Sequence, residues 1–357
     1  MTTPSPAEQL ASEINALQTK IGWMQDSVRL KGPLDAVEDL QTNVNNMLLR
    51  VAGLRTKGYV FEKELESQAS DLSRQWSQLH SPIVTQINIQ SSTLQGSLRS
   101  IEIKMAQINT MRSNPFTVRP LMASIDADIE MLEDKVRSAE GTVNGMYDAF
   151  NNQAYAFKKR LDDIEYMVTQ LAEARFTLLP TEGGIRAVKA VWCKDGKDGK
   201  ESNDDPEGVF YLTDQRLLFE QKEEVATKKF LFITTAKQKV QELVWEIPVV
   251  LIDDIKPSKQ GMLKNEDHLD IRFKEGSMHE SVHLHIWQEG SEWLQILNRA
   301  KNKEFDKNRA VAIDQAEIAK VKALPAQCPS CGGNLNQIIL RGQDSIKCEY
   351  CGFVIRL

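Results

Sequence analysis

Four cysteines near the C-terminal end of the sequence have the spacing of a metal site. Cys328 and Cys331 form one C-x-x-C pair, and Cys348 and Cys351 form a second pair after the loop 332–347. Each pair places two sulfurs on one tight turn, and a loop of roughly 15–20 residues between pairs is typical of four-cysteine zinc sites. Four thiolates complete a tetrahedral Zn²⁺ shell and leave no position for water. The sequence therefore predicts one structural zinc ion.

Other uses of these thiols are two disulfides, an unmetallated thiol cluster, or a thioredoxin-like C-x-x-C. No βαβ pattern surrounds either pair, which disfavours the redox motif. The fifth cysteine, Cys193, stands alone in the middle of the chain, so the sequence contains no disulfide framework. This cysteine usage is typical of a reducing compartment.

Residues 326–357 are predicted to form a small zinc ribbon around this site. Strands are expected at 335–340, 345–347 and 353–357, with a turn at 341–344. Because a fold below roughly 40 residues cannot rely on its core alone, zinc must supply the stability of this segment. The preceding segment, 304–325, contains a short amphipathic pattern over 307–323 and is predicted to be a helical linker.

Two further segments resemble metal sites more weakly. Four of the five histidines lie between His268 and His285, and His283 and His285 share one face if this segment is a strand. They could ligate a metal, but a pair of partly exposed strand histidines is the simpler interpretation. The Asp/Gly-rich loop beginning at Asp195 resembles a calcium loop, but Lys197 occupies a position that requires a carboxylate or amide. A solvated loop is therefore expected there.

No catalytic motif is present. The sequence lacks G-x-x-x-x-G-K-[ST], G-x-S-x-G and H-E-x-x-H, and Cys193 has no motif-level partner. We therefore do not expect an enzyme.

Residues 1–176 have a heptad-like apolar period that predicts long helices. Leu10, Ile14, Leu17 and Ile21 show the alternating 3–4 spacing that keeps one stripe facing a partner helix. Helix breaks are expected at 31–33, 80–82 and 113–120, followed by one helix from about 119 to 176. The stripe could be buried in an antiparallel bundle within the chain or by pairing of helices between two chains.

Residues 178–303 change to the alternation of strands. Strands are expected at 186–192, 208–212, 216–220, 230–234, 243–246, 249–255, 269–273 and 282–287. A tight turn at Thr213-Asp214-Gln215 makes a hairpin of the second and third. One amphipathic helix containing Trp293 follows. This order predicts a small β-barrel closed at one end by a helix.

The hairpin segment Gly208–Phe219 resembles the G-x-x-x-L-T-x-x-R-L-x-F hairpin of GRAM and bacterial PH-like domains. The segment 247–255 resembles the strand after their I-P element, and Trp293 lies where these domains place their last helix. The resemblance covers about a third of the chain. It implies a PH/GRAM-like β-barrel with a C-terminal capping helix, acting as a non-catalytic module for lipid headgroups, membrane surfaces or proteins.

The charge distribution departs from a lipid-binding pattern. The chain has a net charge of −6, and Lys194, Lys197 and Lys200 of the first loop are accompanied by six acidic residues. One basic stretch without acidic residues remains, and its candidate membrane or partner contacts are Lys228, Lys229, Phe230, Lys237 and Lys239. An ordinary strand with solvated lysines is the competing interpretation.

These observations predict a multidomain α + β protein with helices, barrel, linker and ribbon in that order. Neither a signal peptide nor a run of about 18 apolar residues is seen, so we expect a cytoplasmic location. Any contact with a membrane is expected to be peripheral, at its inner face. The predicted function is a scaffold or adaptor that self-associates through coiled coils and binds protein partners or a membrane surface.

The alternative is a nucleic-acid-associated protein that uses the ribbon. Residues 307–357 carry a net charge of +3, including Arg341, Lys347 and Arg356. The acidic body disfavours extended contact with a phosphate backbone.

Overall fold

The computed structural model describes all residues except 1–4, 113, 195–201, 203, 231–232, 262, 264, 314–325, 336, 344 and 357, and it describes no side chains between 225 and 238. The chain divides into two compact units. The first comprises Met1–Leu49 and Ser67–Lys159, and the second comprises Arg50–Glu66 and Arg160–Leu357. The fold is mixed α and β, with an N-terminal helical region and an antiparallel sheet.

Five helices account for the N-terminal region. They are α1 (Pro6–Ser27), α2 (Lys31–Thr56), α3 (Leu65–Thr110), α4 (Pro115–Gly145) and α5 (Asp148–Glu173). Helix α1 begins at a capping box, in which Ser5 and Glu8 exchange side-chain and backbone hydrogen bonds. Helix α4 begins with Pro115 at its first position, where a missing N–H costs nothing.

The first unit is an antiparallel bundle within one chain. Gln25 of α1 reaches Glu102 of α3, and Trp76 of α3 donates to Gln41 of α2, so α3 runs against α1 and α2. Lys20 pairs with Asp126 of α4 at 2.7 Å, which sets α4 parallel to α1. The predicted heptad residues of α1 are all buried in this bundle. Of the two arrangements that the sequence allowed, the chain therefore adopts the bundle.

Several predicted helix boundaries are wrong. The break expected at 31–33 lies inside α2, which begins at Lys31, and the break expected at 113–120 extends into α4, which contains Pro120. Pro82 lies inside α3 instead of starting a helix, because the apolar stripe continues through it: Trp76, Ile83 and Ile87 are all buried. The helix expected from about 119 to 176 is two helices that are separated at Met146 and Tyr147. A break at 57–64 was not predicted; Gly58, with a φ of +90°, ends α2 in a conformation that favours glycine.

A seven-stranded antiparallel sheet dominates the second unit. Its strands are β1 (Gly184–Cys193), β2 (Glu207–Thr213), β3 (Arg216–Phe230), β4 (Ile233–Pro248), β5 (Ile252–Gln260), β6 (Glu266–Phe273) and β7 (Ser281–Ile286). The spatial order is β4-β3-β2-β1-β7-β6-β5. Two meanders, β1–β4 and β5–β7, are therefore joined through β1 and β7.

The sheet is not closed into the predicted barrel. Strands β4 and β5 are its two edges, and no ladder joins them in the described part of the chain. Pro248 lacks an N–H at the end of β4, and Val249–Leu251 leave the sheet as a single 3₁₀ turn in which Val249 donates to the Gln215 carbonyl. This turn also replaces the first part of the strand predicted at 249–255.

The strand predicted at 230–234 is also wrong. Strands β3 and β4 are long antiparallel partners, and Phe230 of β3 is paired with Ile233 of β4. The residues predicted to form one strand are therefore divided between the end of β3 and the start of β4.

The apolar core lies between the sheet and helix α6 (Gly290–Lys301). Trp293 of α6 packs on Phe210 with ring centroids 5.0 Å apart, and Phe219 stacks on Trp245 at 5.8 Å. On another part of the sheet Tyr211 meets Phe176, which follows α5, at 5.0 Å. The helix after the second meander is therefore present, as the sequence predicted.

The described part of the linker is helical only in α7 (Glu304–Lys307). Residues 308–313 are not helical, and Arg309 forms a β-bridge with Phe61. The remaining linker residues, 314–325, lie outside the described residues.

The C-terminal segment contains one small hairpin of β8 (Ser345–Lys347) and β9 (Val354–Arg356). The predicted strand at 335–340 is absent from its described residues. Instead of a backbone ladder, the Gln337 side chain donates to the Lys347 carbonyl at 2.8 Å. Ile346, Ile355 and the buried Cys328 and Cys348 form the small core of this segment.

Candidate metal centre

Two turns of the same construction present the four cysteines. In the first, Gly332 donates to the Cys328 carbonyl at 2.8 Å, and in the second Gly352 donates to the Cys348 carbonyl at 2.9 Å. Gly332 and Gly352 have φ values of +72° and +73°, which side chains rarely adopt. The glycine after each C-x-x-C therefore permits the turn that directs both sulfurs to one side.

The four sulfurs converge on a single point. All four lie within 4.8 Å of one another, with Cys328 Sγ 3.8 Å from Cys351 Sγ and Cys331 Sγ 3.7 Å from Cys348 Sγ. Ligands at a Zn–S distance of about 2.3 Å in a tetrahedron are separated by about 3.8 Å. A disulfide requires about 2.05 Å, and these cysteines form none. The predicted ligands are thus brought together in a geometry that could hold a metal ion.

The protonation of the thiols also favours a cation. Desolvation acts to raise the pKa of Cys328, but the N–H groups of Cys331 and Ser330 stabilise its thiolate and lower the pKa to about 7. The Gly333 N–H favours the Cys331 thiolate, but Cys351 and the other nearby sulfurs outweigh it and raise this pKa to about 12. A cation among the sulfurs would favour the Cys331 thiolate, which the neighbouring sulfurs disfavour.

Arg341 attaches the cysteine segment to the sheet. Its guanidinium pairs with Asp214, and its Nε donates to Thr181 Oγ1 at 2.9 Å. Its backbone N–H donates to Gln215 Oε1 at 2.6 Å, while Gln215 Nε2 donates to the Arg341 carbonyl at 2.9 Å. The sequence analysis placed Arg341 among the residues available for nucleic acid, but its charge is neutralised inside the protein.

Asp214 is the shared acceptor of this contact. It also receives Arg309 Nη1 at 2.8 Å and the Gly183 N–H at 2.9 Å, and its side chain is 2% exposed. Burial raises the pKa of Asp214, whereas the Gly183 N–H and the guanidinium groups of Arg341 and Arg309 act to lower it. Sequence reasoning recognised Asp214 only as a turn residue.

The T-x-x-R spacing of the hairpin has a direct structural role. Thr213 Oγ1 accepts the N–H groups of Gln215 and Arg216 at 3.1 and 2.7 Å, which fixes the turn between β2 and β3. The Arg216 guanidinium pairs with the buried Glu182 at 2.5 Å and with Glu246. This network holds Asp214 and Gln215 at the tip, where the cysteine segment binds.

The histidine prediction needs a correction. His283 and His285 are buried, not partly exposed, and His268 from the neighbouring strand lies with them. The His268 ring stacks between those of His283 and His285, with centroids 5.0 and 4.8 Å away, and His285 stacks on Trp287 at 4.3 Å. Cys193 is buried in the same region. Cys193 of β1 is paired with His283 of β7, which places the histidines on a strand in the interior of the sheet. The alternation of side chains along a strand does not show which strand lies beside it, so the sequence did not indicate this burial.

The remaining predicted contacts are described only in part. Lys228, Lys229, Phe230 and Lys237 lie in the β3–β4 hairpin, but their side chains are outside the described residues. Lys239, opposite Glu224, is exposed. Of the Asp/Gly-rich loop 194–206, residues 195–201 and 203 lie outside the described residues, and the calcium-like positions that begin at Asp195 fall among them. No described helix combines the length and apolarity that crossing a bilayer requires.

Comparisons with known proteins give only distant structural likenesses. No protein-family model matches the chain, and no curated protein matches it. The DH/PH domains of PDZ-RhoGEF, solved with GTP-γ-S-activated RhoA, are 12% identical, covering 77% of this chain and 92% of that chain at a TM-score of 0.22. The DH/PH domains of p115-RhoGEF are 10% identical, covering 84% and 95% at 0.22. At these TM-scores the likeness assigns neither fold nor function.

Proposed function

We propose that this protein is a non-catalytic cytoplasmic adaptor that binds protein partners through a PH/GRAM-like domain and an attached zinc ribbon. The PH/GRAM-like assignment rests on the hairpin motif that contains Thr213 and Arg216, on the strand order with its two joined meanders, and on the position of α6 after β7. These features agree with one another, although the sheet is open between β4 and β5.

The ion of the cysteine site is proposed to be zinc. Four thiolates at tetrahedral separations suit Zn²⁺, and a complete protein shell gives the ion a structural role. Cys328 and Cys348 are part of the small core of this segment, so the metal and the core stabilise the same fold.

The observation that carries the adaptor proposal is the Arg341–Asp214 contact. Because it joins the ribbon to the β2–β3 turn, the ribbon and the sheet present surfaces in a fixed relation. The ribbon displays Tyr350, Phe353 and Val354, which are exposed apolar residues of the kind enriched at protein interfaces. Its positive charge is reduced because Arg341 is paired, which favours a protein partner over nucleic acid.

Affinity purification with the full-length protein tests this proposal. Partners recovered from a cytoplasmic extract are purified and titrated against the wild type, Y350A/F353S and M278A. Tyr350 is 69% exposed and Met278 is 63% exposed, so M278A is a control that removes one similarly exposed apolar side chain from the sheet domain. We expect at least one direct partner whose Kd rises tenfold or more in Y350A/F353S and is unchanged in M278A.

Two results would overturn the adaptor proposal. One is that every direct partner binds the double variant as tightly as the wild type. The other is that the full-length protein shifts nucleic acid in a gel at about 200 mM salt, where non-specific phosphate contacts are weak. The second result would favour the nucleic-acid function instead.

A second candidate function, contact with an anionic membrane surface, is favoured by the β3–β4 hairpin. Strand β2 pairs with β3 only as far as the Gly208–Gln221 pair. Beyond it, β3 and β4 pair with each other alone in the described part of the chain, up to Phe230 and Ile233. A two-stranded hairpin is marginally stable in water, and this one carries lysines and an apolar tip. A membrane surface would supply the missing contacts.

Liposome flotation of the full-length protein tests the membrane contact. We expect flotation with anionic vesicles, little with neutral vesicles, and loss of flotation in K228E/K229E. The variant K135E/K307E makes the same change of charge outside the hairpin and should float like the wild type. Absence of flotation with both kinds of vesicle, or equal flotation of both variants, would rule out the hairpin as a membrane contact.

A further inference from the structure

We propose that Cys193, His268 and His283 form a second metal site, inside the sheet and separate from the four-cysteine centre. One ligand atom from each residue lies within 4.8 Å of the other two. All three residues are buried, at 3–4% exposure. Sequence reasoning singled out His283 and His285 as a weak metal candidate but did not connect Cys193 or His268 to them, because the members of this site come from three different strands.

The sheet register brings these residues together. Cys193 of β1 is paired with His283 of β7, and His283 is paired with Asp270 of β6. His268 lies two residues before Asp270 on β6, so its side chain is on the same face of the sheet. Three adjacent strands therefore supply a thiol, two imidazoles and a carboxylate to one small region.

Two imidazole nitrogens point at one position. His268 Nδ1 and His283 Nε2 lie 2.9 Å apart and share a hydrogen bond, which a bound ion would replace. Two nitrogens bound to one tetrahedral Zn²⁺ at about 2.0–2.1 Å are separated by about 3.3 Å, so a ring displacement of a few tenths of an ångström would admit the ion.

The second nitrogen of His283 is held by a carboxylate. His283 Nδ1 lies 2.7 Å from Asp270 Oδ1, which is a hydrogen-bond distance, whereas His268 Nε2 and Glu266 Oε2 are 3.8 Å apart, beyond hydrogen-bond range. Metal-bound histidines almost always donate their second nitrogen to a carboxylate, a backbone carbonyl or water, which fixes the ring and strengthens it as a ligand.

The charge and the thiol and imidazole ligands favour a divalent ion of intermediate softness, and Zn²⁺ is the ion to test. A Cys193 thiolate and the Asp270 carboxylate together carry two negative charges, which a divalent cation neutralises in a buried region. Three protein ligands leave a fourth position for water, unlike the four-cysteine centre. The stacked rings of His285 and Trp287, with Lys189 4.9 Å from the Trp287 ring, cover this side of the sheet.

A catalytic Cys–His–Asp arrangement of the same side chains is disfavoured by this burial. A thiol nucleophile must meet its substrate, and Cys193 is 3% exposed. A small ion requires no such access.

Metal stoichiometry of the full-length protein tests the proposal. The protein is loaded with Zn²⁺, desalted, and measured by elemental analysis and native mass spectrometry. We expect two zinc ions per chain in the wild type and one in C193S, H283Q and C348S, the last of which removes the four-cysteine site. H279A is the matched control, because His279 lies against Trp192 outside the cluster, and it should keep two. One zinc in the wild type, or two in C193S and H283Q, would overturn the proposal.

Cobalt substitution of the wild type gives a test that does not depend on the folding of a variant. The four-cysteine site should give an intense thiolate-to-cobalt charge-transfer band with the first equivalent of Co²⁺. A second equivalent should add a weaker band of the same kind, since only one thiolate is present. A second equivalent that binds without any such band, or does not bind, would refute a site containing Cys193.

Discussion

At the scale of single residues, one carboxylate joins two parts of the second unit. Asp214 accepts from Arg341 of the ribbon, from Arg309 of the linker and from the Gly183 N–H. We expect D214A to lower the free energy of unfolding of this unit by about 3–5 kcal/mol, because it removes the buried counter-charge of two guanidinium groups and leaves Arg341 with Asp306 at 3.8 Å. Equilibrium urea unfolding of the full-length protein, followed by tryptophan fluorescence, measures this change.

D254A is the matched control for this substitution. Asp254 also accepts from an arginine, Arg272, but the pair lies at the surface with the Arg272 side chain 60% exposed. Removal of an exposed pair should change stability by no more than about 1 kcal/mol. Equal effects of D214A and D254A would mean that the Arg341 contact contributes little to the fold.

The functional residues that the sequence predicted are close together in the chain, whereas those that it did not predict are far apart. The ligand pairs Cys328–Cys331 and Cys348–Cys351 are each formed within one turn, so their spacing alone predicts their geometry. Asp214 and Arg341 are far apart in sequence, as are Cys193 and His283, and only strand register and docking bring them together. No local pattern encodes such a contact, so the sequence predicted the four-cysteine site and marked His283 as a weaker metal candidate, but it indicated neither the ribbon attachment nor the grouping of His283 with Cys193.

At the scale of elements, helix α3 contains a proline in its interior. Pro82 cannot donate to the preceding turn, and an interior proline costs a helix about 3 kcal/mol. Burial of Trp76, Ile83 and Ile87 on either side offsets this cost. We expect P82A to raise the free energy of unfolding of the helical region by about 1–3 kcal/mol, measured by urea unfolding with far-UV circular dichroism.

S81A is the neighbouring control. Ser81 is exposed, and its backbone carbonyl, which accepts Thr85 Oγ1, is unaffected by the substitution. The difference in helix propensity predicts a change below about 0.7 kcal/mol. If P82A is no more stabilising than S81A, the helix has adapted its geometry to the proline at little cost.

Elements with a regular apolar period were the easiest to predict. The heptad stripe identified the helical region because burial repeats along it. Pro82 is not a boundary, because the packing of α3 on either side of it outweighs the local cost of the proline. The β3–β4 hairpin was divided into extra strands because its apolar tip, around Phe230 and Ile233, has strand composition. Composition identifies residues that avoid water, but the pairing partner decides where a strand ends.

At the scale of the whole molecule, the bundle within one chain disfavours self-association through the heptad stripe. The residues that would form a coiled-coil seam between chains are already buried within one chain, among them Leu17, Val44, Ile87 and Ile125. Pairing through that stripe would require the bundle to open and expose the same apolar surface that pairing would bury. We therefore expect a monomer of about 40.4 kDa by light scattering at micromolar concentration.

A mass near twice that value would contradict this expectation, and one variant would locate the contact. Phe116, in the first turn of α4, is 93% exposed, whereas the stripe residue Val118 beside it is fully buried. A dimer dispersed by F116S would be formed by this exposed side chain, with the bundle intact. A dimer could instead survive F116S and lack the unfolding transition of the intrachain bundle. That result would show that helices are exchanged between chains. The intrachain bundle would then be only one of two ways in which this sequence buries its heptad stripe.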